Sequence, residues 1–407
     1  MVKRMTFKQF LYIVPLLAFI AVFSLYPIVT SFMYTFFDYR TNDQQYNNFY
    51  FSQKLNVKLF LEDCDYVNYF LDADKTLLSP KDSAAIDEIE KKVTAEKTKY
   101  ADMNGTPALS SSQSAGISDF VESLRQETSA IYDRNTGVEF YNKDNMPQIL
   151  DDMDACIIKS NFIGLKGYAE LLSDTRFWLA LGHTVYFTAI SVGLEFVLGM
   201  LLALIMNKAM RGIGLIRTAA LIPWAIPTAV SAMIWSYLYD GSYGVVAKIF
   251  ADIGLIKSQT AMLLTANGAM SSAILADVWK TTPYMALLLL GGLQIIDRGL
   301  YESAAIDGAG QVKTFFKITL PLMKSSILVA LLFRTLDAFR VYDLIAILTG
   351  GGPGNGTESL SVYSYKLMFG QSNFGYGSVV VTGMFICVAI IAFIYVKVLG
   401  AEVMSNE

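Results

Sequence analysis

The sequence predicts an all-α polytopic membrane protein: six transmembrane helices, with a small α+β insert between the first and second. Three observations carry that prediction. The 407 residues are 54% hydrophobic and only 17% charged, where a soluble chain is nearer a quarter charged. The hydrophobic residues fall in blocks of about twenty, the length that crosses a hydrocarbon core of ~30 Å. Between the first two blocks the composition turns polar, from Asp38 to Thr175. The net charge of −4, with no polybasic run, predicts no nucleic-acid partner.

The six blocks are Phe10–Phe36, Phe177–Met206, Leu215–Leu238, Met270–Leu290, Ile327–Leu348 and Ser378–Leu399. The first follows Lys3, Arg4 and Lys8, as a signal peptide would, but it is too long and no small-residue cleavage site follows. Tyr34, Phe36 and Phe37 follow instead, as in an interfacial aromatic belt. In the insert, Val57–Leu61 and Val138–Tyr141 read as strands. Ser83–Lys99 and Ile117–Ile131 carry apolar residues at helical spacing. The Ser-rich stretch in 101–114 reads as disordered. Cys64 and Cys156 both lie in the insert, either bridged or as two free thiols. Cys387 sits inside the sixth block as a packing residue.

Orientation follows from Lys and Arg in the short loops. Lys3, Arg4, Lys8, Lys208, Arg211, Arg217, Arg298, Lys313, Lys317 and Lys397 fall on one side. Only Lys248, Lys257 and Lys366 fall in short loops on the other. Both termini are then cytoplasmic and the insert is extracytoplasmic. The divisions are 1–37 for the first helix, 38–175 for the insert, 176–400 for a core of five helices and 401–407 for a cytoplasmic tail.

Ionisable residues inside the blocks are costly, about 2.5–3.5 kcal/mol each on insertion scales, so they face a cavity or a partner. The fifth block holds Arg334, Asp337, Arg340 and Asp343. Arg334 and Asp337 share a helical face that Val341 continues, and in the fourth block Asp277, Thr281 and Tyr284 share another. Glu195 in the second block has no partner visible in the sequence. His183 is the only histidine, so no His-based metal cluster or catalytic triad is available. The glycines of Gly350–Gly356 are followed by no Lys-Ser/Thr, so they form no phosphate loop.

The segment Glu302-Ser303-Ala304-Ala305-Ile306-Asp307-Gly308-Ala309, followed by Ile318, Leu320 and Pro321, resembles the "EAA" loop of ABC importer permeases. Two further segments support the resemblance. Residues 162–178, with Phe162, Gly164, Leu165, Tyr168, Asp174, Phe177 and Trp178, are similar to the lead-in of carbohydrate permeases, although Gly167 and His183 stand where that family often has Asn. Leu348-Thr349-Gly350-Gly351-Gly352-Pro353 is similar to their outer loop.

The resemblance implies the membrane-spanning subunit of a maltose-type carbohydrate ABC importer in a bacterial cytoplasmic (inner) membrane. It implies a coupling loop at 296–321, where Glu302, Ala304, Ala305, Asp307, Gly308, Ala309, Ile318, Leu320 and Pro321 meet an ATPase. It also implies a sugar pathway along Asp277, Thr281, Tyr284, Arg334, Asp337 and Val341. The alternative for those charges is structural: Arg334 with Asp337 and Arg340 with Asp343, as ion pairs against a second permease. Gly351, Gly352 and Pro353 would contact the solute-binding protein, or form a flexible turn. The implied partners are a second permease, two ATPase subunits and an extracytoplasmic solute-binding protein. No cofactor or metal resides on this chain; ATP and magnesium belong to the ATPase, and the chain itself is not an enzyme. Other readings are an importer for glycerol phosphate or a polyamine, and a membrane sensor, which would need a cytoplasmic signalling domain.

Overall fold

A computed structural model describes residues 7–208 and 211–405. Lys3, Arg4 and the last two residues of the 401–407 tail lie outside the described residues. The chain divides into two units: Phe36–Gly164, and the rest.

The first hydrophobic block is helix α1 (Phe7–Ile20), a π-helical turn at Ala21–Leu25 and helix α2 (Tyr26–Tyr34). None of the residues in its most apolar window is buried by the rest of the chain. A helix apolar on every side and left uncovered suits a membrane span.

In the unit Phe36–Gly164 a two-residue strand β1 (Lys54–Leu55) leads into helices α3 (Val57–Lys75), α4 (Pro80–Tyr100), α5 (Ser111–Arg134) and α6 (Met146–Ala155). Strand β2 (Ile157–Ile158) then pairs antiparallel with β1. The insert is thus helical with a minimal strand pair, which corrects the two strands expected from sequence. Val57–Leu61 begins a helix because Asn56 caps it, accepting from Leu59 N. Val57, Phe60, Cys64, Val67 and Leu71 then recur at helical spacing and are all buried. That long period outweighs the β-branched start. Val138–Tyr141 is irregular: the backbone N–H groups of Tyr141 and Asn142 donate to the buried carboxylate of Asp74 (2.8 and 3.2 Å). Residues 101–114 are ordered rather than loose. Leu55 N donates to Pro107 O (3.1 Å), Leu109 N donates to Gln53 O (2.8 Å), and a capping box of Ser110 and Gln113 opens α5. Cys64 and Cys156 are both buried as free thiols, and Cys156 Sγ donates to Asp63 (3.1 Å).

The other unit resumes with α7 (Lys166–Ser173), the lead-in helix, so the boundary falls some ten residues before the one read from composition. Next comes α8 (Thr175–Met206), whose start is capped by Asp174 (2.8 Å from Arg176 N). The third block is broken into α9 (Ile213–Ala220), α10 (Ile222–Ala225) and α11 (Thr228–Leu238), with an 87° bend. Pro227 cannot donate and forces Ile226 into an extended conformation (ψ 130°).

Short helices α12 (Val245–Asp252) and α13 (Ala261–Leu264) precede the long α14 (Ala266–Ile295). The loop 296–321 holds α15 (Arg298–Ile306) and α16 (Gln311–Thr314), followed by a π-helical turn and the single turn α17 (Leu320–Leu322). The fifth block is α18 (Lys324–Phe339), a break at 340–342 and α19 (Asp343–Leu348); then come α20 (Leu360–Tyr365) and α21 (Phe374–Ser405).

Among the described residues four helices are long and apolar enough to cross a membrane, and two bent pairs pass the same test together. The largest core joins α8, α14 and α18 through Phe187, Met200, Met285, Leu289 and Ile327. At Gly199 of α8 a Cβ would lie 3.2 Å from the backbone N of Ala286 and 2.8 Å from Met285 Cγ. The absent side chain is what lets α8 and α14 meet this closely.

Candidate functional site

A cavity of about 470 Å³ opens among α10, α11, α14, α18 and α19, within the usual range of ligand pockets, roughly 300–1,000 Å³. Asp277, Thr281, Tyr284, Arg334, Asp337 and Val341, expected on two helical faces, all line it. Both helix breaks border it too, through Trp224 and Thr228 on one side and Arg340, Val341, Tyr342 and Asp343 on the other. Non-helical backbone at membrane depth persists only where protein covers it or a wet cavity bathes it. At the second break Ser359 Oγ donates to the carbonyl of Val341 (2.9 Å), satisfying a group the helix has released.

Arg334 is the charge around which the cavity is built. It is 1% exposed. Its Nε and Nη2 donate to the two carboxylate oxygens of Glu195 (2.5 and 2.9 Å), a bidentate pair. Nη2 also contacts Asp277, and Nη1 reaches Asp337 (3.2 Å). Thr281 Oγ1 lies 2.7 Å from Glu195 Oε1. Glu195, partnerless in the sequence, therefore clamps α18 to α8, and its partner lies 139 residues away. Arg340 Nη2 approaches Asp337 (3.7 Å), so the expected pairing of Arg340 with Asp343 is not the one formed. Lys280 lines the cavity with no ion pair among the described residues. Trp224 stacks on Tyr284, ring centroids 5.6 Å apart and 11° from parallel.

The loop 296–321 has a defined turn. α15 is capped by Asp297 (2.6 Å to Gly299 N) and ends in a Schellman motif. Ala309 N donates to Ala304 O (2.9 Å) and Gly308 N to Ala305 O (3.1 Å), with Gly308 at φ +72°. Ala304 is buried, while Glu302, Ala305, Asp307 and Gly308 are exposed and Ala309 half-buried. Tyr301 Oη and Thr319 Oγ1 lie 3.2 Å apart and tie the two arms together. Ile318 and Leu320 are half-buried, and Pro321 falls in the turn before α18. Ile306, Val312 and Phe316 are 86%, 73% and 61% exposed, an apolar fringe that suits a docking surface.

Residues 195–404 match the family of binding-protein-dependent transport system inner membrane components. The chain belongs to this family. Among similar proteins are the trehalose/maltose transport system permease protein MalF of Thermococcus litoralis and the trehalose transport system permease protein SugA of Mycobacterium tuberculosis. The first is 44% identical over 237 residues, 58% of this chain and 79% of the relative. The second is 44% identical over 246 residues, 60% and 78%. A solved bacterial ABC transporter that imports the acidic polysaccharide alginate has the same fold over 59% of this chain and 84% of its own, with a TM-score of 0.53 and 22% identity.

In this inner membrane component the glycine-rich loop is firmly held. Thr357 Oγ1 donates to Gly352 O (2.8 Å), and Thr357 N donates to Gly351 O (3.2 Å). Gly351 is buried; Gly352 and Pro353 are half-buried. Glu358 beside them is 1% exposed and receives Arg176 through Nε (2.7 Å) and Nη2 (2.8 Å), and Lys366 (2.8 Å). Burial pushes the Glu358 carboxyl up, but these cationic donors outweigh it and hold it below its ordinary value. His183 Nδ1 lies 3.3 Å from the Glu358 carbonyl. This buried anchor escaped the sequence reading because Arg176 and Glu358 are 182 residues apart. Trp224 went unread in the sequence as well, although Pro223 and Pro227 interrupt a hydrophobic block around it, a mark of a discontinuous helix that could have drawn attention to it.

Proposed function

We propose that this chain is the membrane-spanning permease of an ATP-driven importer for a neutral di- or oligosaccharide. The observation that carries the reading is the one cavity that gathers Asp277, Thr281, Tyr284, Arg334, Asp337 and Val341 between two broken helices. The relatives named as trehalose and trehalose/maltose permeases support the substrate class. Charge supports it as well. Arg334 is neutralised by Glu195 and Asp277, and the cavity as a whole presents carboxylates and cations in near balance. An anion such as glycerol phosphate meets Asp277, Asp337 and Asp343 there, and a polyamine meets Lys280 and Arg340. A neutral sugar uses such groups as hydrogen-bond donors and acceptors.

In this reading the chain crosses the bacterial cytoplasmic membrane six times. Both termini lie in the cytoplasm and the insert lies outside. A second permease completes the pathway, two ATPase subunits hold ATP and magnesium, and a solute-binding protein delivers the sugar. The helices of 296–321 fit a cleft in one ATPase, with Glu302 and Asp307 offered to basic groups. ATP-driven closure moves that loop and alternates access to the cavity. The loop at Gly351–Pro353, held by Glu358, offers a rigid contact to the binding protein.

The test is purification from the native membrane, with subunits identified and hydrolysis and uptake assayed for the native chain, Glu302→Ala and Gly308→Pro. The expected result is an ATPase and a second permease in the complex, with the variants losing the ATPase or uncoupling hydrolysis from uptake. A chain that purifies with no ATPase, and is indifferent to both changes, would overturn the proposal.

A further inference from the structure

We propose that the neck of the insert is a membrane-surface contact, with the rings of Phe51 and Phe162 seated in the phospholipid headgroup layer of the outer leaflet. The inference goes beyond sugar import and rests on the six-span topology proposed above. The unit Phe36–Gly164 begins and ends in two short segments that hold each other. Phe37 and Phe162 form an antiparallel bridge. Asp38 N donates to Asn161 O (2.9 Å), and Ile163 N donates to Phe36 O (2.8 Å). Asn161 is buried. Its amide nitrogen donates to the carbonyls of Asp38 (3.0 Å) and Asn48 (2.9 Å), and its side-chain oxygen accepts from Tyr50 N (3.0 Å). The loop 39–50 is thereby fixed to the neck.

Phe37, read from the sequence as part of an interfacial belt, is only 2% exposed. It is the hub of a ring cluster: the centroids of Phe49, Phe51 and Phe162 lie 4.9, 4.9 and 5.3 Å from its own. The outer members, Phe51 and Phe162, are 66% and 49% exposed and 5.5 Å apart. A hydrogen-bonded backbone thus presents two apolar rings to the surroundings of the neck. Position along the chain names the occupant. The first apolar span, Tyr12–Tyr34, has 23 residues, ~34 Å of helix against a hydrocarbon core of ~30 Å. Its end therefore lies at the edge of that core. Phe37 follows Tyr34 by three residues, at most about 11 Å of chain, which places the cluster at headgroup depth. Phenylalanine set into the headgroup–acyl boundary is how surface helices hold a bilayer. The cations fit the same partner. Lys54 lies over the Tyr50 ring (5.3 Å) and Lys159 is exposed; each stands three residues from one of the outer rings, and each adds attraction to an anionic lipid surface. A protein partner is met by Tyr, Trp or Arg anchors more than by bare Phe.

The test uses the complete transporter in sealed, oriented vesicles of phosphatidylethanolamine and phosphatidylglycerol. Nitroxide labels are placed singly at Phe51→Cys, at Phe162→Cys and, as a control toward the C-terminal end of α3, at Tyr69→Cys. All are made in a Cys387→Ala background, Cys64 and Cys156 being buried. With a membrane-impermeant nickel chelate on the outer side, oxygen should relax the labels at 51 and 162 more than the chelate does, and the order should reverse at 69. In the wild type, a phospholipid with a photoreactive group beside its glycerol should crosslink to 49–51 and to 162, a result that needs no variant to fold. Chelate access at 51 and 162 equal to that at 69, or labels there that protein shields from both reagents, would overturn the contact, as would crosslinks that avoid the neck; the topology would stand. Chelate confined to the cytoplasmic side that relaxes the label at 69 would overturn the topology, and the seat on the outer leaflet with it.

Discussion

At Arg334 one guanidinium holds three carboxylates from three helices. Removing one member of a buried charge set strands the others in a place that cannot hydrate them, at about 3–5 kcal/mol. Arg334→Met should therefore lower the unfolding free energy of the detergent-solubilised complex by that amount, seen as a clear drop in melting temperature. Asp337, whose side chain is 60% exposed, should tolerate Asn within about 1 kcal/mol, although sugar affinity should fall because it lines the cavity. The second buried carboxylate, Glu358, predicts a pH dependence. Its folded pKa lies below the ordinary 4.5 because Arg176 and Lys366 outweigh the effect of burial. The stability it contributes is present above the ordinary value and is lost as pH falls through the folded one. Hydrogen exchange of 349–366 should accelerate as pH falls below the ordinary carboxylate range, and Lys366→Met, which removes one of the cations holding that carboxyl down, should shrink this pH dependence.

At the scale of the element, the hinge of the loop 296–321 is Gly308. A Cβ there meets nothing within 4 Å, yet φ is +72°. The cost of a side chain is thus purely conformational, about 1–2 kcal/mol. Gly308→Val should fray the end of α15, with faster exchange over 304–310, while Gly308→Asn should be milder because Asn tolerates this region. Long amphipathic elements were legible: the helices expected at Ser83–Lys99 and Ile117–Ile131 appear as Pro80–Tyr100 and Ser111–Arg134. Short ones were not. Val57–Leu61 has five residues of strand-like composition, but the burial of Cys64, Val67 and Leu71 beyond it settles on a helix. Val138–Tyr141 loses its strand to a carboxylate some 67 residues away in sequence, which no local pattern encodes.

On the scale of the whole molecule the two units have separate cores. The insert buries Leu55, Phe60, Val67, Ile117 and Leu124 together, so it should unfold in a transition of its own. Its cysteines report on that event. Burial pushes the Cys64 thiol up to about 12; burial and then Asp63 raise Cys156. A thiol held neutral and covered does not react. Maleimide should therefore leave both unlabelled in the native complex, and label both when the insert melts, with no reductant required.

Local chemistry determined where the long apolar helices lie, the turn at Gly308 and the two polar faces of the fourth and fifth blocks. Each rests on hydropathy, on a residue with special backbone freedom, or on helical spacing, and all of these act over a few residues. Tertiary structure alone decided that the two faces converge on one cavity and that Trp224 joins them. It alone found Arg334 for Glu195, and Arg176 and Lys366 for Glu358. The reason is physical. A charge removed from water must find its counterion in space, and nothing in the chain between residues 195 and 334 records where that will be.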